Sequence, residues 1–182
     1  MALKEQSPAT PKTSRKNPRV AARSIDTYTV QCNKCSKWRV ISTEEEYEEI
    51  RSKMKESPYV CDRKLGISWD DPADIEYNAT RTWLIDRPSI PKTPQGFKRS
   101  LVLRRDFSRM DAYYFTPTGK KLRTHNEIAA FIETNPKYQD VKLSAFNFTP
   151  PKVMEDTIPE HVVRKIPSIG KSNKKKALKD ST

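Results

Sequence analysis

Residues 96–134 restrict the fold of this chain more strongly than any other segment. Apolar and polar side chains alternate around 101–104 and again around 113–116, and a period of two is typical of β-strands. The Thr-Pro-Thr-Gly sequence at 116–119 predicts a tight turn, because proline presets φ and glycine accepts a strained backbone. Residues 122–123 continue as a third strand. The segment therefore predicts a small twisted sheet of three to four strands.

A helix is predicted directly after this sheet. The Thr124 hydroxyl and the Glu127 carboxylate form a capping box, in which both side chains satisfy unpaired backbone amides. Ile128 and Phe131 follow at helical spacing, and Pro136 closes the helix. One helix against a small sheet gives an α+β fold.

The charge balance indicates the kind of partner. The formal net charge is +12, from 35 Lys and Arg residues against 23 Asp and Glu residues. Such an excess favours nucleic acid or an acidic membrane surface. No apolar run approaches the ~20 residues of a membrane span, so we expect no membrane partner. The three cysteines, an odd number, argue against a secreted disulfide scaffold and for a reducing compartment.

The segment around residues 94–150 resembles the methyl-CpG-binding domain. The likeness is carried by its Asp-x-Tyr-Tyr, Pro-Thr-Gly-Lys-Lys and Leu-Arg-Thr sequences. Guanine presents O6 and N7 to the major groove, and an arginine fork engages both atoms. The resemblance implies that Arg104 and Arg123 each read one guanine of a CpG step. It also implies that Asp111 supports Arg104 and that Tyr113 approaches a methylcytosine edge.

Affinity for the DNA backbone is expected from further residues of the same segment. Lysine and arginine contacts to phosphate supply affinity without sequence information. The Thr124 hydroxyl and the helix terminus beside it can also bind phosphate. The expected phosphate contacts are Lys98, Arg99, Lys120, Lys121 and Thr124.

Two readings remain open within this segment. Alternation requires one inward aromatic side chain, and we expect Tyr114 to be the buried one. Arg104 is either a base-reading residue or an ordinary surface residue of a strand.

The loop from Arg105 to Met110 is shorter than in well-matched methyl-reading members of the family. DNA binding is therefore the firmer expectation, and selectivity for methylated CpG stays open.

The upstream segment resembles the CW-type zinc finger. Cys32 and Cys35 form a C-x2-C pair, a Trp-Arg dipeptide follows, and Cys61 comes after an aromatic residue. The resemblance implies zinc held by four cysteines. The fourth ligand falls by spacing near Trp69, which cannot bind a metal, so an aspartate such as Asp70 is the candidate replacement. A weakened or degenerate site is the alternative.

The same resemblance raises the question of histone binding. Many CW-type fingers hold a methylated lysine between two tryptophans by cation–π attraction. Trp38 matches one of them, whereas Thr29 occupies the position of the other. Trp38 is therefore either half of a cage for a histone peptide or part of a small core.

The sequence divides into five parts. We expect a disordered basic tail over 1–25, a finger module over 26–76, a Pro-rich linker over 77–93, a sheet module over 94–150 and a basic disordered tail over 151–182. Together the two modules resemble plant proteins that join a CW-type finger to a methyl-CpG-binding domain.

The leading hypothesis is a nuclear protein that binds double-stranded DNA, with or without CpG methylation, and acts in transcription regulation. The alternative is a chromatin adaptor that binds histone tails or chromatin proteins and touches DNA only nonspecifically. An enzyme is not expected, because no nucleophile–base pair, phosphate loop or open metal site is recognisable. We expect no small-molecule substrate.

Overall fold

The computed structural model describes residues 24–163 of the 182-residue chain. The predicted tails up to residue 23 and beyond residue 163 lie outside the described residues. Within the described part, no helix has the length and apolar character needed to cross a bilayer. The strands are β1 (Tyr28–Gln31), β2 (Trp38–Ile41), β3 (Leu84–Ile85), β4 (Lys98–Leu103), β5 (Met110–Phe115), β6 (Lys121–Leu122) and β7 (Lys152–Val153). The helices are α1 (Glu44–Ser52), α2 (His125–Thr134) and α3 (Glu160–Val163).

The finger module is a hairpin followed by one helix. β1 and β2 pair antiparallel, with Tyr28 opposite Ile41. The hydroxyl of Thr43 caps α1 by accepting a hydrogen bond from the Glu46 amide. Two cysteines belong to the small core under the hairpin, which consists of Val30, Cys32, Ile41, Tyr59 and Cys61.

The sheet module has the predicted architecture. β4, β5 and β6 form an antiparallel sheet in that order, and α2 packs on one side of it. The predicted turn after β5 is present: the Gly119 amide donates to the Thr116 carbonyl at 2.9 Å, and Gly119 has φ +83°. The expected α+β class, a zinc-finger module followed by a small sheet with one helix, is confirmed.

Aromatic side chains dominate the core of the sheet module. Tyr114 is fully buried there, as expected, and its hydroxyl accepts a hydrogen bond from the Asn147 amide. The edges of neighbouring rings meet ring faces, an arrangement that aromatic pairs favour. The buried members of this core are Phe97, Tyr114, Leu122, Ile128, Phe131 and Phe146.

The linker and the start of the C-terminal tail are more ordered than the sequence suggested. β3 in the linker pairs with β7 in the tail, and the Trp83 amide donates to the Thr157 hydroxyl at 2.8 Å. Trp83 is only 6% exposed. These segments are ordered because their few apolar residues pack into a third core beneath β4 and β5. The buried members of this core are Phe107, Met110, Val153 and Ile158.

Candidate DNA interface and metal site

One face of the three-stranded sheet carries most of the predicted DNA-contact residues. Side chains alternate between the two faces of a sheet, and residues opposite each other on paired strands share a face. Tyr114 and Leu122 pair and are both fully buried, so they define the core face. The opposite face, here called the open face, carries Lys98, Ser100, Val102, Arg104, Asp111, Tyr113, Phe115, Lys121 and Arg123.

Arg104 and Asp111 form a two-point ion pair on the open face. Arg104 Nε and Nη2 lie 3.1 Å from the two carboxylate oxygens of Asp111. The hydrogen bond from Arg104 lowers the pKa of Asp111 below its ordinary value. Arg104 keeps Nη1 and the second hydrogen of Nη2 for another acceptor. Asp111 thus orients the guanidinium and leaves part of its donors free.

Arg123 lies at the entrance to α2. Its amide donates to the Glu127 carboxylate at 2.6 Å, and the Thr124 hydroxyl accepts from the Glu127 amide. The predicted capping box is therefore formed, although Glu127 bonds the residue before the cap. Continuing the strand register by one residue sets Arg123 opposite Tyr113. The backbone at Arg123 is fixed while its side chain is exposed to solvent.

Tyr113 lies between these two arginines and contacts Lys121. Its ring is half-buried, and the Lys121 ammonium lies 3.4 Å from the ring centroid. Lys98 and Lys120 are exposed, Lys98 on β4 and Lys120 in the turn before β6. Both lysine side chains are therefore open to solvent.

Arg99 is a correction to the sequence prediction. The structure contradicts a phosphate contact, because Arg99 is 3% exposed and lies on the core face. Its Nη1 donates to Asp86 and its Nη2 to the Thr149 carbonyl, both at 2.8 Å. The strand alternation contained this signal, since Arg99 shares its face with the inward Leu101.

The three cysteines form a compact cluster. Among the described residues, the sulfurs of Cys32, Cys35 and Cys61 all lie within 4.8 Å of one another, and no carboxylate or imidazole joins this group. The Cys35 and Cys61 sulfurs are 3.6 Å apart. A tetrahedral zinc site with Zn–S bonds of about 2.3 Å needs sulfurs roughly 3.8 Å apart. Donor type and spacing therefore both fit zinc.

Arg39 is a residue of the metal site that the sequence prediction missed. It is completely buried, and its Nε donates to the Cys61 sulfur at 3.2 Å. Its Nη1 pairs with Asp74 at 3.0 Å. Burial raises the pKa of Cys61, and the hydrogen bond from Arg39 acts against this rise. The Arg39 guanidinium at the Cys61 sulfur would offset part of the negative charge of thiolates that bind a metal.

Among residues 24–163, no fourth ligand joins the cysteine cluster. Trp69, at the expected position, is 56% exposed. Asp70 lies outside the cluster, and its neighbour Asp71 accepts a 2.6 Å hydrogen bond from the Ser68 amide. Lys37 Nζ instead holds this loop by donating to the carbonyls of residues 69–71. Asp70 as a ligand stays a prediction.

Trp38 packs against an aromatic residue of the linker. Its ring centroid is 5.1 Å from that of Trp83, and the Trp83 ring also contacts Tyr77 at 5.0 Å. Trp83 is buried and lies far along the chain from the position where a second cage residue was expected. The side chain of Trp38 is half-buried, so part of its surface is covered by this contact.

Comparison with known sequences supports both modules. The profile of the methyl-CpG binding domain matches residues 83–156, and that of the CW-type zinc finger matches residues 28–75. The cysteine cluster lies within the zinc-finger match, and zinc is accordingly the metal of this site. No solved structure matches the chain.

Several proteins of Arabidopsis thaliana resemble most of the chain. Methyl-CpG-binding domain-containing protein 4 is 62% identical over 152 residues, which cover 84% of this chain and 81% of the relative. Methyl-CpG-binding domain-containing protein 1 is 57% identical over 141 residues, covering 78% and 69%. Methyl-CpG-binding domain protein 2 of Homo sapiens is 31% identical over 81 residues, covering 43% and 18%. The chain therefore belongs to the family of methyl-CpG-binding domain proteins and carries a CW-type zinc finger before that domain.

Proposed function

We propose that this chain is a nuclear DNA-binding protein that reads CpG steps in the major groove and acts in transcription regulation. Arg104 and Arg123 would each fork onto one guanine, and Tyr113 would meet the cytosine edge between them. The observation that carries this proposal is the open face, where the Asp111-supported Arg104, Tyr113 and Arg123 lie together. The names of the relatives, which refer to methyl-CpG binding, support the same ligand.

Charge around the open face supports a phosphate-bearing partner. Lys98 and Lys120 are exposed at its edges, and Thr124 stands beside the amino end of α2. Cations and a helix terminus at the border of a base-reading surface fix register on the duplex without reading its sequence. In this proposal the sheet module, residues 94–150, supplies the DNA contacts and the finger module, residues 26–76, is held against it.

A second function, the binding of chromatin proteins, has one observation in its favour. Leu65 is fully exposed and Trp69 more than half exposed on the loop after Cys61, so two large apolar side chains on one loop are available to a protein partner. The packing of Trp38 on Trp83 weighs against the histone-lysine cage as the form of that function.

The experiment that tests the proposal compares three duplexes of equal length. One carries a symmetrically methylated CpG, one the unmethylated CpG, and one no CpG; each is titrated at two salt concentrations. Nonspecific phosphate contacts weaken steeply with salt and do not distinguish the duplexes. We expect both CpG duplexes to bind more tightly than the third at the higher salt. Equal binding of all three duplexes would favour the adaptor function.

A further inference from the structure

We infer that Lys121 is a positioning residue that holds the Tyr113 ring in its base-contacting orientation, and that its role differs from the phosphate contact expected of Lys120. The inference rests on the proposed function, because it concerns how the CpG contact is made. The observation is the Lys121 ammonium, which lies over the face of the Tyr113 ring, 3.4 Å from its centroid.

The strand register explains why this lysine reaches this ring. Lys121 is paired with Phe115, which lies two residues from Tyr113 on the same strand and the same face. Diagonal neighbours on one face of a sheet are within reach of a long side chain. Lys120, one residue earlier, lies in the turn and is exposed. Two adjacent lysines of equal charge therefore have different surroundings.

The ammonium of Lys121 has no competing partner in the described part of the chain. No carboxylate of residues 24–163 lies within ion-pair distance of it, whereas Lys53, Lys64 and Lys92 each have such a partner. The cation is thus held by the electron-rich face of the aromatic ring rather than by an acid. Phosphate binding by Lys121 would require it to leave this position.

The neighbour of the Tyr113 ring on the same face and strand is also restrained. Asp111 lies two residues before Tyr113 on β5 and is held by the two hydrogen bonds from Arg104. The ring is therefore held on its face by Lys121 and stands beside a carboxylate whose position is fixed. A ring held in this way meets the base edge without first losing rotational freedom, which is the advantage of preorganisation.

The size of the effect follows from cation–π energies. A contact at an exposed site corresponds to roughly a two- to fivefold change in an equilibrium. We expect Lys121→Gln to lower the ratio of CpG to non-CpG affinity by about that factor. Lys121→Arg should keep the ratio, because a guanidinium also stacks on tyrosine. Lys120→Gln, the matched control, should weaken both duplexes equally and leave the ratio unchanged.

The experiment combines these titrations with NMR of the full chain without DNA. A methylene beside an aromatic face resonates upfield, so the Lys121 ε-CH2 protons should be shifted upfield in the wild type and return to the ordinary position in Tyr113→Leu. In the Tyr113→Leu background, Lys121→Gln should no longer change the affinity ratio. Thermal unfolding of each variant checks that the fold is kept.

Three outcomes separate the inference from the proposed function. An ordinary Lys121 chemical shift in the wild type overturns the positioning contact, whatever the DNA titrations give. If Lys121→Gln weakens binding to both duplexes to the same extent, as Lys120→Gln is expected to do, Lys121 is only a phosphate contact. That result overturns the inference. A wild-type chain without preference for CpG overturns the proposed function instead.

Discussion

Asp86 accepts a 2.8 Å hydrogen bond from the Arg99 guanidinium on the core face of the sheet that carries Arg104 on its open face. The same carboxylate oxygen accepts a second 2.8 Å bond from Arg51 of the finger module. The side chains of all three residues are at most 5% exposed. Arg51 also pairs with Glu48, which accepts hydrogen bonds from the backbone and hydroxyl of Thr93. A buried polar network therefore joins the finger, the linker and the sheet.

Replacing Asp86 should destabilise the whole described unit. Asp86→Asn leaves two buried guanidiniums without their shared anion, and removing one partner of a buried ion pair costs about 3–5 kcal/mol. Urea unfolding should show this loss as a lower midpoint in a single transition. Asp140→Asn, at an exposed position, is the matched control. A loss no larger than that of the control, or two separate transitions, would mean that the modules are not coupled through Asp86.

The zinc site offers a second measurement. We expect one zinc per chain, bound more weakly than by four cysteines, because the cluster holds three thiols. Trp69→Cys should raise the affinity, since a thiolate suits zinc among thiolates better than an oxygen ligand. Competition with a chromophoric chelator measures the zinc dissociation constants of the wild type and of the Trp69→Cys variant. Less than about half an equivalent of zinc in purified protein, at neutral pH, would contradict the expectation.

Recognition of methylated lysine should be poor. A cage needs two exposed aromatic faces around the ammonium, but Trp38 packs on the buried Trp83 and Thr29 stands at the second cage position. Calorimetry with a histone peptide should therefore show no more than a small difference between trimethyl-lysine and lysine. A several-fold preference for the trimethylated peptide would show that Trp38 is available after all.

Local sequence patterns predicted most of the sheet module, but they did not predict the contacts that join this module to the finger module. The alternation of residues 101–104, the turn at 116–119 and the Thr124 cap depend on neighbours within a few positions, so they were predictable. Arg39 and Arg51 depend on partners 35 residues away, Asp74 and Asp86, and no periodicity encodes such distances. Charged residues in a basic chain are expected at a solvated surface. For this reason the burial of these two arginines was not predicted.

The ion pair on the open face has a defined pH dependence. The hydrogen bond from Arg104 lowers the pKa of Asp111, so the pair stabilises the fold above the unfolded carboxyl pKa of about 3.9. That contribution is lost as the pH falls through the lower, folded value. An NMR titration should show the Asp111 midpoint rising in Arg104→Ala and staying unchanged in Arg123→Ala. Equal effects of the two variants would mean that Arg104 has no special contact with this acid.

The two arginines on the open face allow base reading to be separated from charge. Arg104→Lys or Arg123→Lys keeps the charge but loses the two-point geometry, so each should cost roughly 1–3 kcal/mol on a CpG duplex and little on a duplex without CpG. Lys120→Ala should weaken both duplexes about equally and lower the salt slope by about one unit. Asp111→Ala should resemble Arg104→Lys, because an arginine without its 3.1 Å carboxylate contacts samples many rotamers before it binds. If Arg123→Lys lowered the affinity for both duplexes equally, Arg123 would contact only phosphate, and the adaptor function would then be the better account of this protein.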